Sequence, residues 1–156
     1  MASIDTSPVP VRPARSQPAF TPVIPAPEPY KLPKNGRAPD FTWEFRQPDG
    51  GLAFVVTRYN ASGDEKKRFI PWTYDGTAWQ PKGLPGTARP LYNAPLLASS
   101  PSAPVLIVEG ERTADAASAY VPKGWIVTTW HGGAQAVERS DWSTLRGHPC
   151  VIWRDN

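Results

Sequence analysis

Two short apolar runs that each end abruptly in a carboxylate constrain this chain most: Val105-Leu106-Ile107-Val108-Glu109 and Val151-Ile152-Trp153-Arg154-Asp155. A continuous apolar run, rather than an alternating one, marks a strand buried on both faces, as in a parallel sheet. In open sheets of that kind ligands and metals bind at the C-terminal edge, where these acids fall. The intervening sequence supplies the crossovers. Thr113 to Tyr120 is alanine-rich and helix-forming, and it stops before Pro122 and Gly124. Trp125 to Trp130 reads as the second strand, ended by Gly132-Gly133, and Ala134 to Arg139 as a second short helix. Asp141 to Leu145 adds a helical turn before Gly147 and Pro149 lead into the last strand. The order β-α-β-α-β predicts a parallel sheet with covered faces and with Glu109 and Asp155 at one edge.

The upstream half has a different texture. Phe41-Thr42-Trp43-Glu44-Phe45-Arg46 alternates apolar and polar residues, as a half-buried strand does. Pro48-Asp49-Gly50-Gly51 is a hairpin signal, Leu52 to Tyr59 a second strand, and Ser62-Gly63-Asp64 another turn. Lys67 to Trp72 reads as a third strand, and Tyr74 and Trp79 flank Asp75-Gly76 in a short final hairpin. The expectation is an antiparallel meander over 40–80, its tryptophans and phenylalanines forming its core; a base-stacking platform is the sharper alternative. Lys66-Lys67-Arg68 reads as a solvated turn and strand start, with phosphate contact as the alternative. Residues 81–103, rich in proline and glycine, read as an ordered connector anchored by Leu91-Tyr92 and Leu96-Leu97. The α/β part covers 104–156, so the whole is α+β.

Ten of the 20 prolines precede Asp40. With few apolar residues to offset the entropy of ordering, 1–39 reads as a disordered, semi-stiff tail, or alternatively as a docking peptide. The net charge of +3 belongs to that tail: it carries five basic against two acidic residues, whereas Asp40 onward carries twelve of each. Bulk charge therefore supports only weak nonspecific attraction to nucleic acid. No apolar run reaches membrane-spanning length and no apolar signal core opens the chain, which points to a cytoplasmic protein with no membrane partner. Cys150 is the only cysteine, excluding an internal disulfide or a cysteine-rich zinc site, and its apolar surroundings predict a buried thiol.

The segment 104–156 resembles the Toprim domain of phage- and plasmid-type primases. The likeness rests on Val108-Glu109-Gly110, on Trp130-His131-Gly132-Gly133 and on Trp153-Arg154-Asp155-Asn156, each following an apolar strand in the family's order. Residues 41–92 also resemble the small tryptophan-rich module preceding Toprim in mobile-element primases. The pattern departs at its end: the second acid of the family's Asp-x-Asp motif would fall one position beyond Asn156. The chain is accordingly expected to be an N-terminal part of such a primase, with little activity alone.

The resemblance implies that Glu109 is the catalytic acid/base or a metal ligand and that Asp155 holds the metal, Mg2+ or Mn2+. Magnesium suits nucleotidyl transfer because it takes hard oxygen ligands and neutralises phosphate charge. Gly110 lets backbone approach a ligand, and Gly132-Gly133 before a helix leaves amides free to meet a phosphate, although a double glycine is also an ordinary strand-to-helix turn. Glu111 and Arg112 open the helix after Glu109, and Arg112 there can grip a triphosphate or simply face solvent. His131 reads as a structural turn residue, with phosphate contact as the alternative, and His148 shows no partner. The implied function is RNA-primer synthesis on single-stranded DNA from ribonucleoside triphosphates, with a helicase domain or subunit as a possible partner. The alternatives are another Toprim-type nucleic-acid enzyme, such as a nuclease, or a noncatalytic nucleic-acid-binding or regulatory module.

Overall fold

The computed structural model describes residues 20–153. It is α+β, with a four-stranded antiparallel sheet in the order β1-β2-β3-β4 and a separate three-stranded parallel sheet. The first sheet comprises β1 (Phe41–Arg46), β2 (Leu52–Tyr59), β3 (Arg68–Tyr74) and the short β4 (Trp79–Gln80). Its turns follow from local chemistry. In the first, Gly50 takes φ 93° and donates to Gln47 O at 2.8 Å, while Asp49 Oδ1 accepts from Gly51 N at 2.9 Å. In the last, Asp75 Oδ1 accepts from the amides of Thr77 and Ala78, both at 2.8 Å. Those amides hold the Asp75 carboxyl well below the usual carboxylate range.

Alternation, with a bulge at Ala53 that turns Leu52 to the opposite side, gives this sheet two apolar faces. Trp43, Phe45, Phe54 and Val56 occupy one; Leu52, Val55, Trp72 and Trp79 occupy the other. The tryptophans expected in the core, Trp43, Trp72 and Trp79, are indeed buried. Covering the second face corrects the reading of 1–39 as a disordered tail for its described part, 20–39. Residues 1–19 lie outside the described residues, but 20–39 lie along the sheet. Val23 N donates to Tyr74 O at 2.9 Å and Ala26 N to Leu52 O at 2.8 Å, while Tyr30 packs on Trp79 at 5.4 Å between centroids. This proline-rich segment is irregular, with no helix or strand of its own, so its remaining amides are free to pair with the sheet. The apolar side chains it covers supply the driving force, on the order of 1.5–3 kcal/mol for each large one fully buried.

The connector holds an unanticipated helix, α1 (Ala94–Ser99), with Pro95 in its first turn. Leu91 and Leu97 are fully buried, as anchors should be, whereas Leu96 is exposed. The parallel sheet follows: β5 (Val105–Ile107), α2 (Glu111–Ser118), β6 (Ile126–Thr128) and β7 (Cys150–Ile152), with β5 in the centre. Ile107 is paired with Thr128 of β6 and with Ile152 of β7, both parallel. Val105 and Ile107 pack with Leu91, Leu97 and Ile126; Leu106 and Val108 face Ala114 of α2 and Val127.

Three further expectations are corrected here. The segments Ala134–Arg139 and Trp142–Leu145 are 3₁₀ rather than α-helical, since neither is long enough to complete a well-bonded α-helix. Strand β7 is not buried. Val151 and Ile152 are exposed, with Trp153 beyond them 67% exposed, because this edge strand has one neighbour among the described residues and nothing described covers its faces. Cys150 is exposed for the same reason, not the buried thiol its apolar neighbours suggested.

The two sheets meet through specific polar contacts. Asp115 of α2 accepts from Trp43 Nε1 at 2.6 Å and from the Tyr92 hydroxyl at 2.9 Å. Burial, followed by the bond to Asp115, pushes the Tyr92 phenol above its ordinary range. No helix among the described residues is long and apolar enough to cross a membrane.

Candidate functional site at the C-terminal edge of the parallel sheet

Because β5, β6 and β7 run parallel, the segments that leave their C-terminal ends share one edge. Glu109 leaves β5 there, two residues beyond Ile107, and Gly132-Gly133 follow β6. Asp155, the acid expected beside Glu109, lies outside the described residues, as does Arg154.

Glu109 is half-buried and makes no hydrogen bond or ion pair among the described residues. Its Oε1 lies 3.9 Å from where a Cβ on Gly133 would stand, so the carboxylate looks directly at the glycine turn. Among the described residues, neither carboxylate oxygen is taken by a basic side chain. Among the described residues no three acid, histidine or cysteine side chains group as a metal cage.

Gly110 takes φ 87°, a region that strains residues with a Cβ. Its amide donates to Thr129 Oγ1 at 2.9 Å, tying the end of β5 to the end of β6. That amide is therefore engaged, and Gly110 shapes the site through its backbone rather than by donating to a ligand. Gly132 is sterically required: at φ 104°, an added Cβ would stand 2.8 Å from the Ala136 Cβ. Among the described residues the amides of Gly132 and Gly133 donate no hydrogen bond, so both are available to an anion.

The turn is held from two sides. Trp130 Nε1 donates to Gly133 O at 2.8 Å, and His131 Nδ1 lies 2.8 Å from Glu111 Oε1. Glu111, expected only to open the helix beside the pocket, is instead buried against His131. The imidazole sits against Phe45 and Phe54 of the antiparallel sheet, at 5.8 and 5.7 Å between ring centroids. His131 thus takes the structural role, linking α2, the glycine turn and the first sheet. His148 does have a partner: its Nδ1 lies 2.8 Å from Ala103 O.

Arg112 departs furthest from its expected place. It is exposed and its guanidinium lies 5.2 Å from the Phe41 ring centroid, over the antiparallel sheet, so it makes no triphosphate grip beside Glu109 in this arrangement. Sequence reasoning missed Asp115, Thr129 and the Glu111–His131 pair. Their partners lie far along the chain or across a strand, and no local spacing signals them.

Two clefts lie elsewhere. One of about 540 Å3 between β1 and α1 is lined by Tyr30, Glu44, Arg46 and Tyr92, and one of the same volume beside α2 by Leu106, Ala117, Tyr120 and Trp153. Neither includes Glu109 or the glycine pair. No family model matches the chain, and neither does any curated protein or solved structure.

Proposed function

We propose that the chain belongs to a primase of the mobile-element type, in which a Toprim-like parallel sheet makes RNA primers on single-stranded DNA. The observation that carries this reading is the half-buried Glu109 carboxylate, without an ion-pair partner among the described residues, beside the Gly132-Gly133 turn on the C-terminal edge of the central parallel strand. That combination puts a hard anionic ligand next to two free amide donors, the two kinds of group that nucleotidyl transfer needs side by side.

The cation this family uses, Mg2+ or Mn2+, supplies charge neutralisation at the phosphates. Glu109 fits it as an uncommitted oxygen ligand, and by the resemblance Asp155 is the second acid. In the proposed mechanism Glu109 holds the cation or takes the proton from the attacking hydroxyl. The amides of Gly132 and Gly133 hold the phosphate oxygens by hydrogen bonds. Glu111 and His131 fix the turn, so these donors do not have to reorganise when charge develops.

The test is incorporation of labelled ribonucleotides on a single-stranded DNA template by the protein that carries this chain, with Mg2+ present. Replacing Glu109 by Gln keeps the shape and removes the charge, and is expected to lower the rate by at least 10²-fold, the usual scale for acid–base catalysis. Unchanged synthesis by Glu109→Gln would remove its assigned role. Strand cleavage in place of synthesis would favour the nuclease alternative, and DNA binding with neither would favour a noncatalytic module.

A further inference from the structure

The antiparallel sheet carries a cross-strand row of rings and cations. Phe41 of β1 is paired with Arg58 of β2, and Arg58 with Phe69 of β3. Directly opposed residues project from the same face, so the three side chains stand side by side. The Arg58 guanidinium lies 5.6 Å from the Phe41 centroid and 5.5 Å from that of Phe69. Cations extend the row at both ends: Arg112 of α2 at 5.2 Å from the Phe41 centroid, and Lys67 at 5.7 Å from that of Phe69. The order along the surface is therefore Arg112, Phe41, Arg58, Phe69, Lys67.

None of these three cations forms an ion pair among the described residues. Arg58 Nε donates to the neutral Asn60 Oδ1 at 3.0 Å. Asp115, three residues beyond Arg112 on α2, is already held by Trp43 and Tyr92. Phe69 is 41% exposed, so core packing does not account for it. Aromatic rings and cations without an acidic partner among the described residues alternate along one line.

We infer that this row is a binding track for single-stranded DNA, in which bases stack on Phe69 and the Arg58 guanidinium while Arg112 and Lys67 pair with phosphates. A single strand offers both groups in alternation, and sequence-tolerant stacking plus a basic path is how such strands are held. A duplex keeps its base faces hidden in the stack. Arg112 belongs to α2, the helix that begins two residues after Glu109, so one helix adjoins both the track and the edge proposed for primer synthesis. The track's role as a template path rests on that proposed function; its binding of DNA does not.

Fluorescence anisotropy with labelled oligo(dT), and with a duplex of equal length, tests it. Phe69→Ala is expected to weaken oligo(dT) binding roughly tenfold or more, the loss of about one stacked base. Its salt dependence should not change. Phe69→Leu, which keeps the apolar bulk without the ring, should bind no better than Phe69→Ala. The double variant Lys67→Ala, Arg112→Ala should reduce the slope of log K against log salt by about 1.4, roughly 0.7 per phosphate for a single strand. Lys123→Ala, in the turn before β6, should bind as the unaltered protein does. These side chains are exposed, and circular dichroism verifies that each variant is folded. Oligo(dT) binding unaltered in the Phe69 and double variants, full recovery in Phe69→Leu, or equal affinity for the duplex would each overturn the track. If the track variants lose DNA while Glu109→Gln keeps full primer synthesis, the track stands and the primase reading falls. If Glu109→Gln abolishes synthesis while the track variants bind normally, the opposite holds.

Discussion

Strands β2 and β7 are both apolar runs, yet almost every residue of Leu52–Tyr59 is buried whereas Cys150, Val151 and Ile152 are all exposed. The difference lies in position, not composition. β2 has a strand on each side and an apolar cluster on each face, one of them completed by the segment 20–39. Among the described residues, β7 is paired with β5 alone. An apolar run therefore signals a strand dependably, but burial belongs to the neighbours that a strand acquires.

The sharpest way to break this comparison is to cut the same kind of side chain from each strand. Phe54→Ala empties a fully buried site stacked on Phe45 at 4.5 Å and should cost about 3–5 kcal/mol in denaturant unfolding followed by tryptophan fluorescence. Ile152→Ala, at a position 67% exposed, should change stability by no more than about 0.5 kcal/mol. Equal losses would mean that β7 is covered after all.

A smaller effect is expected where the two sheets are joined. Glu111→Ala leaves the His131 imidazole enclosed between α2 and two phenylalanine rings without its partner, and should cost about 1.5–3 kcal/mol. Glu111→Gln keeps an acceptor oxygen and should lose clearly less. If Glu111→Ala is neutral, the pair does not tie the sheets together.

Next comes pH. Burial, followed by hydrogen bonds to Glu44 and Asp115, raises Tyr30 and Tyr92 above the ordinary phenol range. The folded phenols thus keep protons that the unfolded chain gives up near pH 10, so their contribution is present below about pH 10 and is lost as pH rises through their folded values. Denaturant midpoints should fall between pH 9 and 11, and the double variant Tyr30→Phe, Tyr92→Phe should flatten that fall. Asp75 acts with the opposite sign: depressed by the amides of Ala78 and Thr77, its contribution is present above the ordinary carboxyl range and fades as pH drops below about 4.

The smallest effect is a rate without a stability change. The exposed Cys150 should react with a thiol reagent in the folded protein about as fast as in denaturant, followed by absorbance. Reaction only on unfolding would restore the buried reading and with it a covered β7.

The sequence by itself determined the strands, the turns and the strand-edge acid. Alternation from Phe41 to Arg46 marks β1, Pro48-Asp49-Gly50-Gly51 and Asp75-Gly76 mark turns, and the apolar run before Glu109 puts that carboxylate at the end of β5. These are legible because period, turn chemistry and glycine φ are properties of a few consecutive residues. Tertiary structure alone decided that residues 20–39 cover a sheet face, that Glu111 is enclosed against a histidine 20 residues away, and that Arg112 leans over Phe41 rather than beside Glu109. Local pattern says which way a side chain faces on its own element. What stands opposite it depends on how distant elements close upon one another, and here that closure buried β2, left β7 open and turned Arg112 toward the first sheet.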